Sequence, residues 1–314
     1  MAQFILLMFL LLLRTGWPEP GAVMVQTEGR SGLLVSAGSV TSPYRIMTVF
    51  VLPGDTVRIS VAHDDTVHLS IDRGALITGE PNAWRWVAPS GQGLVAGSIT
   101  TRTGQALVTL NLFLMVPYGH MEGEYLNGYR IGTYPKKPLR QLAIYNKPRG
   151  FVEVTPENQE VLLSPHFRLK QFLCKQEGGY PKYVIIREKL LLKLELVLEQ
   201  ANERGYRAQT FNILSGYRTP YYNKAIGNVQ YSRHIYGGAA DIFIDEEPPF
   251  DMMDDLNGDG LLDYRDADVL KEMIEEMFGR TWYEPFIGGL GRYGRTDAHG
   301  PFIHMDVRGF RARW

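Results

Sequence analysis

The sequence predicts a sandwich-like all-β domain followed by an α+β domain. In residues 23–117, short runs of β-type residues alternate with turn residues at regular spacing and show no helical period, which is typical of a β-sandwich. Beyond residue 160, a helical period is mixed with β-type runs. The length of 314 residues suits two domains of about 150 residues each. We therefore expect a β domain at 23–118, a linker at 119–160 and the α+β domain at 161–314.

The N-terminal segment resembles a secretion signal. Residues 4–13 are an unbroken apolar run, followed by a Pro/Gly-rich stretch that ends at Ala22. Ten apolar residues are too few to span about 30 Å of hydrocarbon, but they match the apolar region of a signal peptide. The alternative is a buried helix. We predict that residues 1–22 are removed on export, which leaves no stable membrane anchor, and that the mature chain is periplasmic or extracellular.

Charge and cysteine content exclude two classes of site. The 33 Lys+Arg residues balance 34 Asp+Glu residues, so no basic surface for nucleic acid is expected. The single cysteine, Cys174, cannot form an intramolecular disulfide or a zinc site built from cysteine pairs. Any metal must therefore be held by His, Asp or Glu. Export with almost no cysteine favours a bacterial cell envelope over a disulfide-rich secretory route.

Local patterns predict the individual elements. In the first domain, β-type runs lie at 47–52, 56–61 and 106–116. The stretch 118–160 is rich in Gly, Tyr and Pro and reads as a linker with little regular structure. In the second domain, leucines at helical spacing predict a helix over 187–204 that ends before Gly205, and a strand follows at 210–214.

Three stretches of the second domain carry residues that suit metal chemistry. Residues 215–220 read SGYRTP, residues 232–241 read SRHIYGGAAD, and residues 302–306 read FIHMD. Imidazole and carboxylate groups are good Zn²⁺ ligands, and a catalytic zinc needs three protein ligands and one position for water. Such a set can be supplied by His234, Asp241 and His304.

The full pattern resembles a known family. The string SxHxxGxAxD, preceded by SGYRTP and followed by GGLGRY and HMD, is similar to the zinc D-Ala-D-Ala carboxypeptidase and murein endopeptidase family. That family shares a superfamily with lysostaphin-type peptidases and the hedgehog signalling domain. The resemblance covers residues 164–314, and the nearest form ends in GGxGxY…FxHxDxxxxRxW, which here begins at Gly288 and ends at Trp314.

The resemblance implies a zinc-dependent peptidase domain. It implies Zn²⁺ bound by His234, Asp241 and His304, and a peptidoglycan peptide as substrate. Zn²⁺ lowers the pKa of its bound water to about 7 and polarises the scissile carbonyl, so hydroxide can attack an amide at neutral pH.

The general base departs from the family pattern. Better-known members place a carboxylate three residues before the last histidine ligand or a histidine two before it, where this chain has Pro301 and Phe302. His299 is the first candidate for the base, with a solvated loop histidine as the alternative. Asp306 is the second candidate. On one strand with His304 it would point to the same face, where it would hold a ligand or substrate group rather than move a proton.

Two further residues are expected near the metal. Arg218 of the SGYRTP turn resembles the family arginine that faces the site, where its guanidinium can bind a carbonyl oxygen or a carboxylate. The alternative role for Arg218 is a structural salt bridge. Ser232 is expected to hydrogen-bond near the metal.

A second metal pattern lies at residues 255–266, which read DLNGDGLLDYRD. The spacing is that of an inserted EF-hand-like loop, with Gly260 at the sixth position and an aspartate rather than a glutamate at the twelfth. We predict a structural Ca²⁺ site, with an acidic surface loop as the alternative. The predicted ligands are Asp255, Asn257, Asp259, Leu261 through its carbonyl, Asp263 and Asp266.

Two functional hypotheses follow. The first is a secreted zinc metallopeptidase that cleaves peptidoglycan peptides next to a D-amino acid. The second is a non-catalytic binding module of the cell envelope that keeps the zinc ligands, as hedgehog relatives do, and the missing acid at Pro301 keeps it open. The β domain is expected to bind the wall or an envelope protein, which adds to the first hypothesis. The sequence leaves open carboxypeptidase versus endopeptidase action and L,D versus D,D bonds.

Overall fold

The computed structural model describes residues 29–248 and 250–314. The predicted signal peptide at residues 1–22 lies outside these residues. Strands outnumber helices in the described part, as expected for a β domain joined to a peptidase-like domain. None of the helices described in these two ranges has the length and apolar character needed to cross a membrane.

The first domain consists of two sheets that share one core. Its strands are β1 Arg30–Ala37, β2 Val40–Tyr44, β3 Ile46–Val51, β4 Thr56–Ala62, β5 His68–Ile71, β6 Ala75–Glu80, β7 Ala83–Val87, β8 Gly93–Thr100 and β9 Ala106–Leu114. One sheet has the order β2-β1-β4-β7-β6 and the other β3-β9-β8-β5. Burial alternates along β4, as a half-buried strand requires. The three predicted β-type runs are confirmed as β3, β4 and β9.

The segment expected to be a linker is packed into the fold. Strand β10, Val116–Pro117, pairs with β13, Gly150–Val154, and between them lie the short strands β11, Tyr125–Leu126, and β12, Tyr129–Arg130. Regular structure is therefore limited, as expected, but Tyr129, Tyr134 and Tyr145 of this segment are buried. A tyrosine buries a large ring while its hydroxyl finds a partner, so a Tyr-rich stretch can pack as a core. Residues 119–160 are thus part of the fold and not a free connection.

The second domain places a sheet against helices. Its elements are β14 Leu162–Ser164, β15 Phe167–Arg168, β16 Lys182–Val184, α1 Glu188–Glu203, β17 Asn212–Ser215, α2 Pro220–Ala225, β18 Ala239–Phe243, α3 Tyr264–Glu276, β19 Gly289–Tyr293, β20 Phe302–Asp306 and β21 Ala312–Arg313. The sheet has the order β17-β18-β20-β19-β21. The predicted helix is confirmed as α1, and Gly205 follows it with φ 95°.

Helix α1 joins the two domains. Arg30 donates two hydrogen bonds to Glu199, at 2.9 and 2.7 Å, and Glu188 accepts the backbone N–H of Phe50 at 3.1 Å. Ten of its sixteen residues are buried, and its apolar side chains belong to the cluster that also contains both sheets of the β domain. The β domain and the sheet of the second domain are therefore packed on the same helix.

Candidate metal centre

Strand register brings two of the predicted ligands together. Strands β18 and β20 are antiparallel neighbours, and Asp241 lies directly opposite His304. His234 comes from a short 3-10 turn, Arg233–Tyr236, that precedes β18. All three residues are buried: His234 is 2% exposed, Asp241 4% and His304 7%.

The three ligand atoms have the spacing of a zinc site. Nε2 of His234 lies 3.1 Å from Nδ1 of His304 and 3.2 Å from Oδ1 of Asp241. Nδ1 of His304 lies 2.8 Å from the same oxygen. Ligand atoms about 2.0–2.1 Å from a tetrahedral zinc are roughly 3.3 Å apart, so these distances fit a single ion. Among residues 29–248 and 250–314, His234, Asp241 and His304 form the group of possible metal ligands whose atoms all lie within 4.8 Å of one another.

Hydrogen bonds on the far side of each ring set the tautomers. Nδ1 of His234 donates to the carbonyl oxygen of Gly216 at 2.7 Å, and Nε2 of His304 donates to Oδ2 of Asp306 at 3.2 Å. In these tautomers, Nε2 of His234 and Nδ1 of His304 carry lone pairs that point toward each other and toward the Asp241 carboxylate. Such lone pairs repel unless a cation or a proton lies between them, so the donor set fits Zn²⁺.

Burial and neighbouring groups shift the pKa values of the three residues in different directions. Burial lowers the pKa of His234, which keeps it neutral. Burial would raise the pKa of Asp241, but the neighbouring His234 and His304 hold it well below its usual range. Burial lowers the pKa of His304, yet its hydrogen bonds to Asp241 and Asp306 raise it overall. A proton therefore competes with the metal at His304, and metal affinity should fall as the pH falls.

Arg218 contacts Asp241, one of the three predicted metal ligands. Its Nη2 donates to Oδ2 of Asp241 at 2.5 Å, and its Nε donates to the hydroxyl of Ser215 at 2.7 Å. The ion pair orients the carboxylate so that Oδ1 faces the two histidines. Arg218 also lines the cleft above the ligands, so the salt-bridge role is present and contact with a substrate is compatible with it.

Asp306 is placed as a positioning group. It is fully buried, accepts the backbone N–H of Gly289 at 2.9 Å, and pairs with Arg308 through both oxygens. Burial would raise its pKa, but the bonds from His304 and Arg308 hold it well below its usual range. A carboxylate stabilised in this way accepts a proton poorly, and its contact with His304 orients that ring.

A cleft of about 1010 Å³ opens above the three ligands. His299 lies in its wall and donates from Nδ1 to the carbonyl oxygen of Gly300 at 2.8 Å, so Nε2 is the ring nitrogen left to exchange a proton. Among the described residues that line this cleft, His299 is the imidazole outside the ligand set, and Asp241 is the one carboxylate. Ser232 also lines the cleft, but its hydroxyl does not hydrogen-bond to any of the three ligands.

Residues 165–260 match the peptidase M15 family. This match confirms the predicted resemblance to the zinc D-Ala-D-Ala peptidases in the C-terminal half. It includes two of the three predicted ligands, His234 and Asp241, and the structure brings His304 to them from outside the matched segment. M15 peptidases depend on zinc, which agrees with the His/Asp/His group. A search of curated proteins gave no match.

The glycines of the GGLGRY stretch leave room for the residues around His234, Asp241 and His304. A Cβ at Gly289 would overlap Oδ2 of Asp306 and the guanidinium of Arg308. A Cβ at Gly291, which lies opposite His304, would overlap the indole of Trp314. The two glycines therefore allow close approach of the side chains that surround His304.

Sequence reasoning missed the groups that hold the His234 turn. The guanidinium of Arg233 lies over the rings of Tyr145 and Tyr236, at 4.7 and 5.3 Å from the ring centroids, and donates to the carbonyl oxygen of Ile144 at 2.8 Å. The hydroxyl of Tyr134 donates to the carbonyl oxygen of Ile235 at 2.9 Å. Residues 134, 144 and 145 belong to the expected linker, so this segment fixes the turn that carries His234.

Lys193 was also missed. It is buried in helix α1 and donates from Nζ to the backbone carbonyl oxygen of Asp306 at 2.8 Å. Burial lowers the pKa of Lys193 to about 7. The signal in the sequence was one lysine among the leucines of α1, and the structure shows that this lysine ties α1 to the strand that carries His304.

The acidic loop forms a turn network in this structure. The carboxylate of Asp255 accepts backbone N–H groups from Gly258 and Gly260, at 2.7 Å each. The carboxylate of Asp266 accepts the N–H of Asp263, and Asp259 pairs with Arg265 at 2.8 Å. Among the described residues, the predicted Ca²⁺ ligands do not form a group like that of His234, Asp241 and His304, so the calcium site stays a prediction.

Replacing Asp306 by asparagine should weaken zinc binding about 10- to 100-fold, because loss of the partner of a metal-binding histidine usually has an effect of this size. The dissociation constant is measured by competition with a chromogenic chelator. Asp64→Asn, an exposed aspartate of the β domain, is the matched control and should leave the constant unchanged. Equal constants for wild type and Asp306→Asn would contradict the positioning role.

Proposed function

We propose that the protein is a secreted zinc metallopeptidase that hydrolyses peptide bonds involving D-amino acids in peptidoglycan stem peptides or cross-links. The observation that carries this proposal is the convergence of three buried ligand atoms from His234, Asp241 and His304 beneath an open cleft. The M15 match over residues 165–260 supports the same reaction class. The proposed location is the bacterial cell envelope, periplasmic or extracellular.

The bound zinc would supply Lewis-acid polarisation of the scissile carbonyl and a water of lowered pKa. The chain's own residues prepare the site for it. Arg218 holds Oδ2 of Asp241, and Asp306 holds Nε2 of His304, so both ligands are fixed before a metal arrives. The main-chain oxygen of Gly216 fixes the ring of His234.

Proton transfer is assigned to His299. Amide hydrolysis requires one group to take a proton from water and to give one to the leaving amine. The cleft wall offers one imidazole outside the ligand set and no carboxylate other than Asp241 among its described residues. Asp306 suits this role less well because it is buried under Arg308 and its pKa is held low. The Nε2 atom of His299 is the group that remains.

The same cleft supports a second candidate function. Because no second carboxylate lines it in the described part of the chain, the protein can keep its zinc ligands and act as a non-catalytic binding module. This alternative predicts that muropeptides bind without being cleaved. Binding by the β domain to the wall or to an envelope protein stays a prediction under either function.

Digestion of defined muropeptides distinguishes the two functions. Zinc-loaded protein is incubated with uncross-linked and cross-linked muropeptides, and the masses of the products are measured by mass spectrometry. Loss of a terminal residue would show carboxypeptidase action, and separation of a cross-linked pair would show endopeptidase action. Binding of intact muropeptides without any product would support the non-catalytic alternative.

We also propose that the loop at 255–266 holds a structural Ca²⁺. Calcium at about 100 times its dissociation constant would stabilise the fold by about 2.7 kcal/mol, or roughly 5 °C in Tm. The shift is measured by thermal unfolding with Ca²⁺ and with Mg²⁺. It should disappear in Asp255→Asn and persist in Asp64→Asn; no shift in the wild-type protein would show an acidic surface loop.

A further inference from the structure

We propose that the hydroxyl of Tyr293 donates a hydrogen bond to a carbonyl oxygen of the peptide bound in the cleft, and that Trp314 positions this hydroxyl. The inference rests on the proposed peptidase function and names a substrate-binding group for the same site. Tyr293 and Trp314 both line the cleft, and they are 38% and 48% exposed.

The ring of Tyr293 is held in one place. Tyr293 lies opposite Phe302 in the register of β19 and β20, and the two rings stack with centroids 4.6 Å apart and planes 7° apart. Phe302 is two residues before His304, which corresponds to about 7 Å along a strand. The hydroxyl is therefore presented on the same strand pair as the metal ligand.

The hydroxyl proton has a defined direction. Nε1 of Trp314 donates to the hydroxyl oxygen of Tyr293 at 2.6 Å. An indole N–H can only donate, so the tyrosine oxygen is the acceptor and its own proton must be given elsewhere. No described residue accepts it, and the group faces the cleft. The hydroxyl proton of Tyr293 is thus available to an acceptor atom of a molecule bound in the cleft.

Trp314 is anchored beside the metal group. Its indole packs over Gly291, its ring centroid is 5.2 Å from that of His304, and the guanidinium of Arg308 lies 5.1 Å from the centroid. Its backbone oxygen accepts the N–H of Arg292 at 3.2 Å. The donor that orients Tyr293 is therefore fixed by contacts on several sides.

A peptide carbonyl is the acceptor that fits this donor. Among the cations that line the cleft, Arg218 and Arg308 are each paired with a carboxylate, so they are partly neutralised. An oriented neutral hydroxyl at the metal end of the cleft suits an uncharged oxygen of the substrate backbone. Such pre-oriented donors act without reorganisation when the substrate arrives.

Tyr293→Phe tests the donor because it removes the hydroxyl and keeps the stacked ring. We expect kcat/KM on the cleaved muropeptide to fall about 10- to 100-fold, with unchanged zinc content and Tm. Tyr125→Phe, an exposed tyrosine outside the cleft, is the matched control and should keep the wild-type value. Wild-type kcat/KM in Tyr293→Phe would overturn the inference and leave the proposed function intact.

Trp314→Phe tests the positioning role. It should lower kcat/KM when Tyr293 is present and have little further effect in the Tyr293→Phe background, because the two groups act through one hydrogen bond. Additive losses would overturn the positioning role. If the wild-type protein cleaves no muropeptide, the peptidase proposal fails, and calorimetry on the uncleaved muropeptide decides the inference. A dissociation constant raised about 10-fold in Tyr293→Phe supports it, and an unchanged constant overturns it.

Discussion

Replacing His234 by alanine is expected to abolish muropeptide hydrolysis and to reduce bound zinc from about one equivalent to a small fraction. The change removes one of three ligand atoms, and two ligands on buried strands hold zinc poorly. Metal catalysis contributes several kcal/mol to transition-state stabilisation, and each 1.36 kcal/mol is a factor of ten in rate. We therefore expect a loss of at least about a thousand-fold in kcat/KM, measured together with zinc content.

Two variants make this result interpretable. His68→Ala removes an exposed histidine from the β domain and should keep both zinc and activity. Asp241→Asn keeps the volume of the buried side chain and should also lose zinc. Loss of zinc in this variant would therefore show the role of the ligands even if His234→Ala had a folding defect. Full zinc content in both ligand variants would contradict the assignment of the metal site.

Replacing His299 by glutamine is expected to lower kcat about 10²- to 10⁴-fold while zinc stays bound. A positioned proton carrier contributes rate enhancement of this order. The side chain lies in the cleft wall and outside the ligand set, so the metal should be unaffected. The measurement is kcat on the cleaved muropeptide with zinc content held equal, and the matched control is the exposed His120→Gln.

Comparison with Asp306→Asn separates proton transfer from positioning. Asp306→Asn should act mainly through zinc affinity, so its kcat at saturating zinc should fall much less than that of His299→Gln. Equal kcat in both variants and in the wild-type protein would show that neither residue is the base. A larger loss in Asp306→Asn than in His299→Gln would reverse the two roles.

Local patterns in the sequence predict the elements whose packing is itself local. The alternation at 56–61 gives β4 because each side chain of a half-buried strand faces either core or solvent. The leucine period and Gly205 give α1 because a helix needs one apolar face and a residue that tolerates positive φ at its end. The family resemblance adds the metal set, which spacing along the chain could not have brought together.

Contacts between distant segments could not be read from the sequence. The stretch around Tyr145 was read as a linker from its composition, yet its ring packs on Arg233 beside a metal ligand. The sequence assigns no role to Lys193, yet its partner is the main chain of Asp306, 113 residues away. The sequence offers Asp306 as a second candidate base, and the contacts of Arg308 with both of its oxygens favour a positioning role for it. Such roles depend on register and burial, which only the folded chain defines.

The central claim is that a zinc held by His234, Asp241 and His304 cleaves peptidoglycan peptides. It is tested most directly by removing metal from the purified protein with a chelator, adding back Zn²⁺, and weighing the products of a defined muropeptide at each step. We predict no product from the metal-free protein, recovery of product as zinc approaches about one equivalent, and no recovery in His234→Ala. Equal product formation with and without metal, or no product from fully zinc-loaded protein on any muropeptide, would contradict it.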